Sequence, residues 1–161
     1  MLLVLALASP IFAAENGVAD QHFHHNDIGV FIGGTTPFNE EAGGKTAPTI
    51  GVEYERRFSP TIGGLLMAEF VGDKHKRDYL FAVLFTYRVS LLRLAIGPGF
   101  EFVEQDKPSG GTKLSEYFVI STRASYAFHV GKITLAPTIG IDLIGETKTN
   151  LVYGLSVGYG F

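Results

Sequence analysis

The sequence predicts an all-β protein, an eight-stranded antiparallel up-and-down transmembrane β-barrel. Large apolar residues alternate with small or polar residues through eight segments, which is the period of a β-strand with two unlike faces. Short turns and longer polar loops alternate between these segments. The 161 residues include 20 Gly, 13 Phe and 7 Tyr, so strand formers and turn formers are both abundant.

The first fourteen residues, MLLVLALASPIFAA, predict a secretory signal peptide. A short apolar run precedes the small residues Ala13 and Ala14, although no Lys or Arg follows Met1. A short buried helix or a membrane anchor is the alternative, but the run is too short to span a bilayer as a helix. We therefore expect a signal peptide over 1–14, a His-containing periplasmic tether over 15–26, and an outer-membrane barrel over 27–161.

The connections between strands predict how the barrel is arranged. Tight turns at Ser59-Pro60, Ser90 and Gly131-Lys132 join strands two to three, four to five and six to seven. An even number of strands then puts both termini at the short-turn end, as in barrels with periplasmic turns and extracellular loops. The predicted strands cover residues 27–35, 49–58, 61–71, 79–89, 91–103, 116–130, 133–143 and 150–161.

The composition of the two strand faces predicts which face meets water. A soluble lipocalin-like barrel has the same period, with its apolar face inside. Here all seven lysines fall in predicted loops or turns, whereas a solvated exterior normally carries lysines along its strands. The less apolar face is mostly Gly, Ala, Ser and Thr, which suits a narrow barrel interior. The large apolar residues, with aromatics near the strand ends, are therefore expected to face lipid.

The face with small residues also carries nearly balanced charges. Arg accompanies the carboxylates there and Lys does not, and a guanidinium can bind a carboxylate through two parallel hydrogen bonds. We expect a luminal ion-pair network; separate surface charges are the alternative. Its members are Glu53, Glu55, Arg57, Glu69, Arg88, Arg93, Glu101, Arg123 and Asp142.

Two prolines lie inside predicted strands, where each removes a hydrogen-bond donor from the ladder. Pro98 is flanked by Gly97 and Gly99, and this predicts a β-bulge. Pro137 has no comparable explanation in the sequence.

The C-terminal stretch VYGLSVGYGF alternates up to an aromatic last residue, and GVEYERRFSP and GPGFEF occur earlier in the chain. On these motifs the chain resembles the small outer-membrane β-barrels, the class of the OmpA membrane domain and OmpX-like proteins, over residues 27–161. Within the class it is similar to an uncharacterised subgroup. The resemblance implies the outer membrane of a Gram-negative bacterium, contact with its lipid, a monomer, and an assembly signal at Tyr159 and Phe161 for the barrel-assembly machinery.

A cluster of histidines precedes the first strand. His22, His24 and His25 lie between Asp20 and Asp27, and neutral imidazoles suit zinc or copper. Such a flexible segment shows no second shell that would orient the rings. The cluster is a candidate metal site, but a polar tether without a cofactor is the simpler interpretation.

The remaining residues limit the function classes. The net charge of −3 argues against nucleic acid, and without cysteine there is no thiol chemistry. A lipid A deacylase or acyltransferase would need a hydroxyl, an imidazole and a carboxylate within reach. His129 lies in the sequence HVGK without a nearby serine, so no catalytic residue is predicted. We expect a structural or binding role in the cell envelope; a lipid-modifying enzyme and a secreted lipocalin-like ligand carrier are the alternatives.

Overall fold

The computed structural model describes residues 24–38, 45–72, 76–106, 112–145 and 148–161. The predicted signal peptide and His22 lie outside these ranges. The described residues form nine β-segments: β1 Asn26–Pro37, β2 Ala47–Arg57, β3 Ile62–Gly72, β4 Lys76–Val89, β5 Leu92–Asp106, β6 Thr112–Tyr126, β7 Phe128–Val130, β8 Ile133–Ile144 and β9 Lys148–Gly160. Within the described ranges, no helix is long and apolar enough to cross a bilayer.

The sheet closes on itself. Apart from β6 and β7, each strand pairs antiparallel with its neighbour in the chain, and β1 also pairs with β9 from Asp27↔Gly160 to Pro37↔Asn150. Both β6 and β7 pair with β8, so these two segments are one strand of the barrel. The result is an eight-stranded antiparallel barrel, and the predicted fold class is confirmed.

The strands extend further toward the long loops than the alternating apolar residues indicate. β4 begins at Lys76, β5 ends at Asp106 and β6 begins at Thr112. Lys113 and Lys148 therefore lie in strands, where the sequence predicted loops. Ladder hydrogen bonds join backbone groups, so pairing continues into segments with polar side chains, where apolar alternation no longer marks the strand.

The predicted bulge at Pro98 is wrong. Pairing between β4 and β5 is interrupted opposite Pro98, but Ala82↔Gly99 on one side and Phe85↔Ile96 on the other share one register, so no residue is inserted. The interruption follows from the missing proline N–H. Gly97 allows the two backbones to approach closely there, because a Cβ on it would lie 2.8 Å from Leu84 Cα.

The same chemistry accounts for Pro137. Pairing of β8 with β6 ends at Ser125↔Thr138 and resumes with β7 at Phe128↔Leu135, again in one register. The gap lies opposite Pro137, which has no N–H to donate. Its pairing with Leu155 on β9 is uninterrupted. The predicted sixth strand is therefore divided into β6 and β7 by a proline on its neighbour.

The two faces of the barrel wall differ in chemistry. Large apolar side chains at alternate positions point outward into the surroundings. Six of them, each at least 41% exposed, are Val52, Leu66, Val83, Ile96, Ile139 and Leu155. The positions between them point into the lumen and are mostly buried. The barrel is therefore apolar outside and carries its charged groups inside.

Candidate functional site in the barrel lumen

The nine charged residues singled out in the sequence all lie in the lumen, and each is 9% exposed or less. They come from six strands, because alternate residues of every strand point inward. Hydrogen bonds join seven of them in two groups: Glu53, Glu55, Arg88 and Arg93, and Glu69, Arg123 and Asp142. Arg57 is attached more loosely, and Glu101 is buried on β5 opposite Tyr117.

Glu55 is the acceptor at the centre of the short-turn half of the lumen. Arg88 donates to both of its oxygens, with Nε 3.1 Å from Oε1 and Nη2 bonded to Oε2. Arg93 Nη1 lies 3.2 Å from Oε2, and the hydroxyl of Thr86 lies 3.0 Å from Oε1. Four donors therefore replace the water that burial removes from this carboxylate.

Arg93 extends the network from Glu55 toward the middle of the barrel. Its Nη2 lies 3.4 Å from Glu53 Oε2 and 3.2 Å from the hydroxyl oxygen of Ser125. Ser156, on β9, donates to the other oxygen of Glu53 at 3.3 Å. A single guanidinium thus bridges two carboxylates, and the chain of contacts joins β2, β5, β6 and β9.

Arg123 occupies the long-loop half of the lumen. Its guanidinium lies 2.6 and 3.2 Å from the two oxygens of Asp142 and 3.1 Å from Glu69 Oε2. Arg123 also donates to the hydroxyl of Ser121 at 2.8 Å. A side chain on Gly140 would collide with this arrangement, since a Cβ there would lie 2.8 Å from Arg123 Nη1. The glycine makes room for the arginine.

Acidic and basic side chains alternate in two hydrogen-bonded groups, which together we call the charge column: Glu69 and Asp142 with Arg123, and Glu53, Arg93, Glu55 and Arg88. Buried charges of this kind are tolerated when their hydrogen bonds are satisfied, and they become costly when one partner is removed. The column therefore favours one arrangement of side chains across the barrel and fills space that a pore would need.

The lumen also contains an apolar cluster that the sequence analysis missed. Leu65 and Leu84 are essentially inaccessible, and Tyr117 packs against the cluster with Lys148 Nζ 4.7 Å from its ring centre. These residues lie an even number of positions from the charged residues on their strands and therefore share the inward face. Counting positions in this way could have identified them from the sequence. The buried members are Leu65, Met67, Leu80, Ala82, Leu84, Ala95, Val119 and Ile144.

Phe31 is another buried apolar residue that was not predicted from the sequence. Its ring lies against the backbone of Gly33 and Gly154, where a Cβ would come within 2.7 and 2.8 Å of ring atoms. These two bare positions thus give a large aromatic ring a place inside a narrow barrel.

The two residues proposed as an assembly signal lie at the closing seam. Tyr159 and Phe161 point outward and are 46% and 54% exposed. The backbone of Phe161 exchanges two hydrogen bonds with Asn26, at 3.0 and 2.9 Å. The Asn26 side chain accepts from Tyr54 and Arg56 at 2.9 and 2.7 Å. These hydrogen bonds close the seam between the first and last strands at the short-turn end. Recognition of Tyr159 and Phe161 by the assembly machinery stays a prediction.

The described histidines of the predicted tether lie at the barrel rim. The carbonyl of His25 accepts from the N–H of Arg57 at 2.8 Å, and the ring of His24 lies against Gly160. Among the described residues, no three His, Asp or Glu side chains are arranged to hold a metal ion. Because His22 lies outside the described residues, metal binding stays a prediction.

His129 meets a hydroxyl and a carboxylate that the sequence did not predict. Its Nδ1 lies 3.0 Å from Thr134 Oγ1, and Thr134 donates to Asp27 Oδ2 at 3.1 Å. The hydroxyl proton therefore points to the carboxylate and not to the imidazole. In a catalytic triad the imidazole accepts the hydroxyl proton and the carboxylate orients the imidazole. Here the hydroxyl donates to the carboxylate, so the imidazole does not activate Thr134 as a nucleophile.

No family model and no curated protein matches the sequence. Solved structures do match the fold. Neisserial surface protein A (NspA) superimposes with a TM-score of 0.67 at 7% identity, covering 85% of this chain and 97% of that one. A second match is Ail, the attachment invasion locus protein of Yersinia pestis, in complex with the heparin analogue sucrose octasulfate. Its TM-score is 0.63 at 12% identity, and the match covers 84% of this chain and 97% of that one.

The N-terminal β-barrel domain of Pseudomonas aeruginosa OprF gives a TM-score of 0.59 at 15% identity, covering 86% of this chain and all of that one. At these identities the matches show the fold alone. The resemblance to the small OmpA- and OmpX-like barrels is confirmed at that level.

Proposed function

We propose that the chain is an integral outer-membrane protein of a Gram-negative bacterium with a non-catalytic structural or binding role in the cell envelope. The observation that carries the proposal is the inverted polarity of the barrel, which is apolar outside and charged inside. The proposal includes a signal peptide over 1–14, a periplasmic tether over 15–26, direct contact with membrane lipid, assembly by the barrel-assembly machinery and a monomeric state.

The outer surface supports membrane insertion. Its exposed apolar residues continue around the barrel, and a soluble monomer rarely exposes such a large contiguous apolar patch. Aromatic side chains lie toward both ends of the strands, including Phe70 and Tyr79 near the long loops and Tyr126 and Phe128 near the short turns. Two aromatic girdles of this kind are typical of barrels that span an outer membrane.

The lumen argues against both a soluble carrier and a wide pore. A lipocalin-like carrier needs an apolar cavity, whereas the charge column occupies this lumen. The enclosed cavity lined by Glu53, Arg93 and Ser156 has about 10 Å³ of room for the centre of a water molecule. That is close to the space one water needs, and far below the volume of a ligand pocket.

Fractionation of cells tests membrane location. We expect the protein in the outer-membrane fraction, extracted only by detergent, and we expect faster gel migration before boiling than after. Recovery in the soluble periplasmic fraction without detergent would contradict the proposal.

A second measurement tests the non-catalytic part. Lipid A mass spectra from cells with and without the protein should be identical. New deacylated or acylated species in the expressing cells would instead support the lipid-modifying alternative.

A further inference from the structure

Arg57 differs from the other arginines of the lumen in its contacts. It is the last residue of β2, at the short-turn end, and it is 9% exposed. Arg88, Arg93 and Arg123 each donate hydrogen bonds to carboxylates. Arg57 Nη2 instead lies 4.0 Å from its nearest described acidic oxygen, on Asp27, and its buried Nε has no acceptor. This guanidinium is charged, largely buried and short of acceptors.

The neighbouring carboxylates are already engaged. Asp27 Oδ2, the oxygen nearest to Arg57, accepts the hydroxyl of Thr134 at 3.1 Å. Glu55 accepts from Arg88, Arg93 and Thr86. A buried N–H without an acceptor costs free energy, and the cost is larger for a charged group. An acceptor supplied from outside the chain would remove that cost.

Charged groups of both signs surround Arg57. Its guanidinium interacts with those of Arg88 and Arg93 and with the carboxylates of Glu55 and Asp27, and Glu55 is already bonded to both of the other arginines. His129 and His24 lie in the same region. We call Arg57, Arg88, His129, His24, Asp27 and Thr134 the short-turn mouth.

We propose that the short-turn mouth binds an oxyanion, a phosphate or carboxylate group, with Arg57 as its principal ligand. A planar guanidinium with a free Nε–H presents parallel donors that match two oxygens of such a group. Arg88 adds positive potential, and the nearest described acidic oxygen, Asp27 Oδ2, is 4.0 Å from Arg57 Nη2. The chain as a whole carries a net charge of −3, so the preference for an anion is local to this mouth.

The anion could arrive free in solution or as the headgroup of an anionic lipid. Both sources offer the same phosphate oxygens, so free phosphate and an anionic lipid are tested in separate samples. The site goes beyond the proposed envelope role and depends only on the barrel being folded, so it can be tested in detergent.

The test follows the side-chain Nε–Hε signal of Arg57 by NMR in ¹⁵N-labelled full-length protein in maltoside micelles, which contain no phosphate. Arg57→Lys assigns the signal by its disappearance. Sodium phosphate is titrated against sodium chloride at equal ionic strength. A second sample replaces free phosphate with phosphatidylglycerol added to the micelles. We expect a saturable shift of the Arg57 signal in at least one of the two arms, and the responding arm identifies the source.

Arg56→Gln is the matched control, because Arg56 is adjacent in sequence and lies at the opposite side of the strand, bonded to Asn26. We expect this variant to keep the Arg57 shift, and we expect Arg57→Gln to lose the rise in melting temperature that the active anion gives wild type. An Arg57 signal that responds to neither phosphate source overturns the proposal. Because this readout is made on wild-type protein, it does not depend on the folding of a variant.

Discussion

Arg123 binds both carboxylate oxygens of Asp142, at 2.6 and 3.2 Å, and this bidentate pair joins β6 to β8 on the inner wall of the barrel. The same guanidinium reaches Glu69 on β3 at 3.1 Å. The contact with Glu69 spans the lumen, since β3 and β6 are not paired in the sheet. Arg123 therefore connects opposite walls, which the backbone ladder alone cannot do.

Replacement of Arg123 by Met should destabilise the barrel by about 3–5 kcal/mol, because it leaves two buried carboxylates without their cation. The measurement is equilibrium urea unfolding in micelles, followed by circular dichroism. Arg56→Met is the control, since Arg56 is near the rim and should cost less than about 1 kcal/mol.

The triple variant Arg123→Met/Glu69→Gln/Asp142→Asn separates lost charge pairing from lost packing. We expect it to recover part of the stability, because neutral amides cost less to bury than unpaired carboxylates. Equal stability of wild type and the single variant would show that the pairs across the lumen do not contribute.

Gly140→Ala should lower the free energy of unfolding, because the new methyl group would displace Arg123 and press on the backbone carbonyl of Thr122. A loss of about 1–3 kcal/mol is typical of such overpacking. Gly64→Ala, also in a strand, is the control: its Cβ would meet only the Phe58 ring at 3.6 Å, an ordinary contact. Similar unfolding midpoints for the two variants would argue against the steric role of Gly140.

Pro137→Ala should restore a ladder donor opposite the break between β6 and β7. We expect the new amide at position 137 to be protected from hydrogen exchange, and we expect a gain of about 1 kcal/mol, the net contribution of one hydrogen bond. Pro48→Ala is the control, because pairing continues through Gly34↔Pro48 without a break. A rapidly exchanging amide at position 137 would mean that the missing N–H does not cause the gap.

The fold could be predicted from the sequence because strand alternation has a period of two and turn lengths alternate along the chain. Each feature is local and recurs along the whole chain, so an error at one strand does not alter the result. The strand ends were less well predicted. Lys113 and Lys148 read as loop residues, yet their backbone groups still pair in the ladder.

The contents of the lumen were only partly accessible to sequence reasoning. The alternation of inward and outward positions placed Arg93 and Glu55 on the same face. The stagger of the strands around the barrel decides which carboxylate each arginine contacts, and the sequence does not reveal it. The apolar cluster at Leu65 and Leu84 was missed because large inward side chains look like lipid-facing ones when strand parity is not applied at every position. The His129–Thr134–Asp27 contact joins residues more than 100 positions apart, and no local motif marks it.

Titration with zinc and with copper tests whether the histidines before the first strand bind a metal ion. We expect calorimetric titrations to give equal heats for wild type and a His22→Ala/His24→Ala/His25→Ala variant, since the sequence around these histidines offers no second shell to orient the rings. Saturable heat in wild type that the variant loses would contradict this and establish the metal site. His75→Ala controls for binding by a histidine elsewhere in the chain.

Phe161→Ala should impair assembly in cells much more than it lowers stability. The hydrogen bonds between Phe161 and Asn26 use backbone groups and survive the substitution, so protein refolded in micelles should melt close to wild type. Phe58→Ala removes another exposed aromatic ring at the same end of the barrel, 69% exposed against 54% for Phe161, and is the matched control. If Phe161 is part of an assembly signal, its variant should be depleted from the outer membrane while Phe58→Ala reaches normal levels. Equal outer-membrane levels of the two variants would show that the terminal ring is only a lipid-facing side chain.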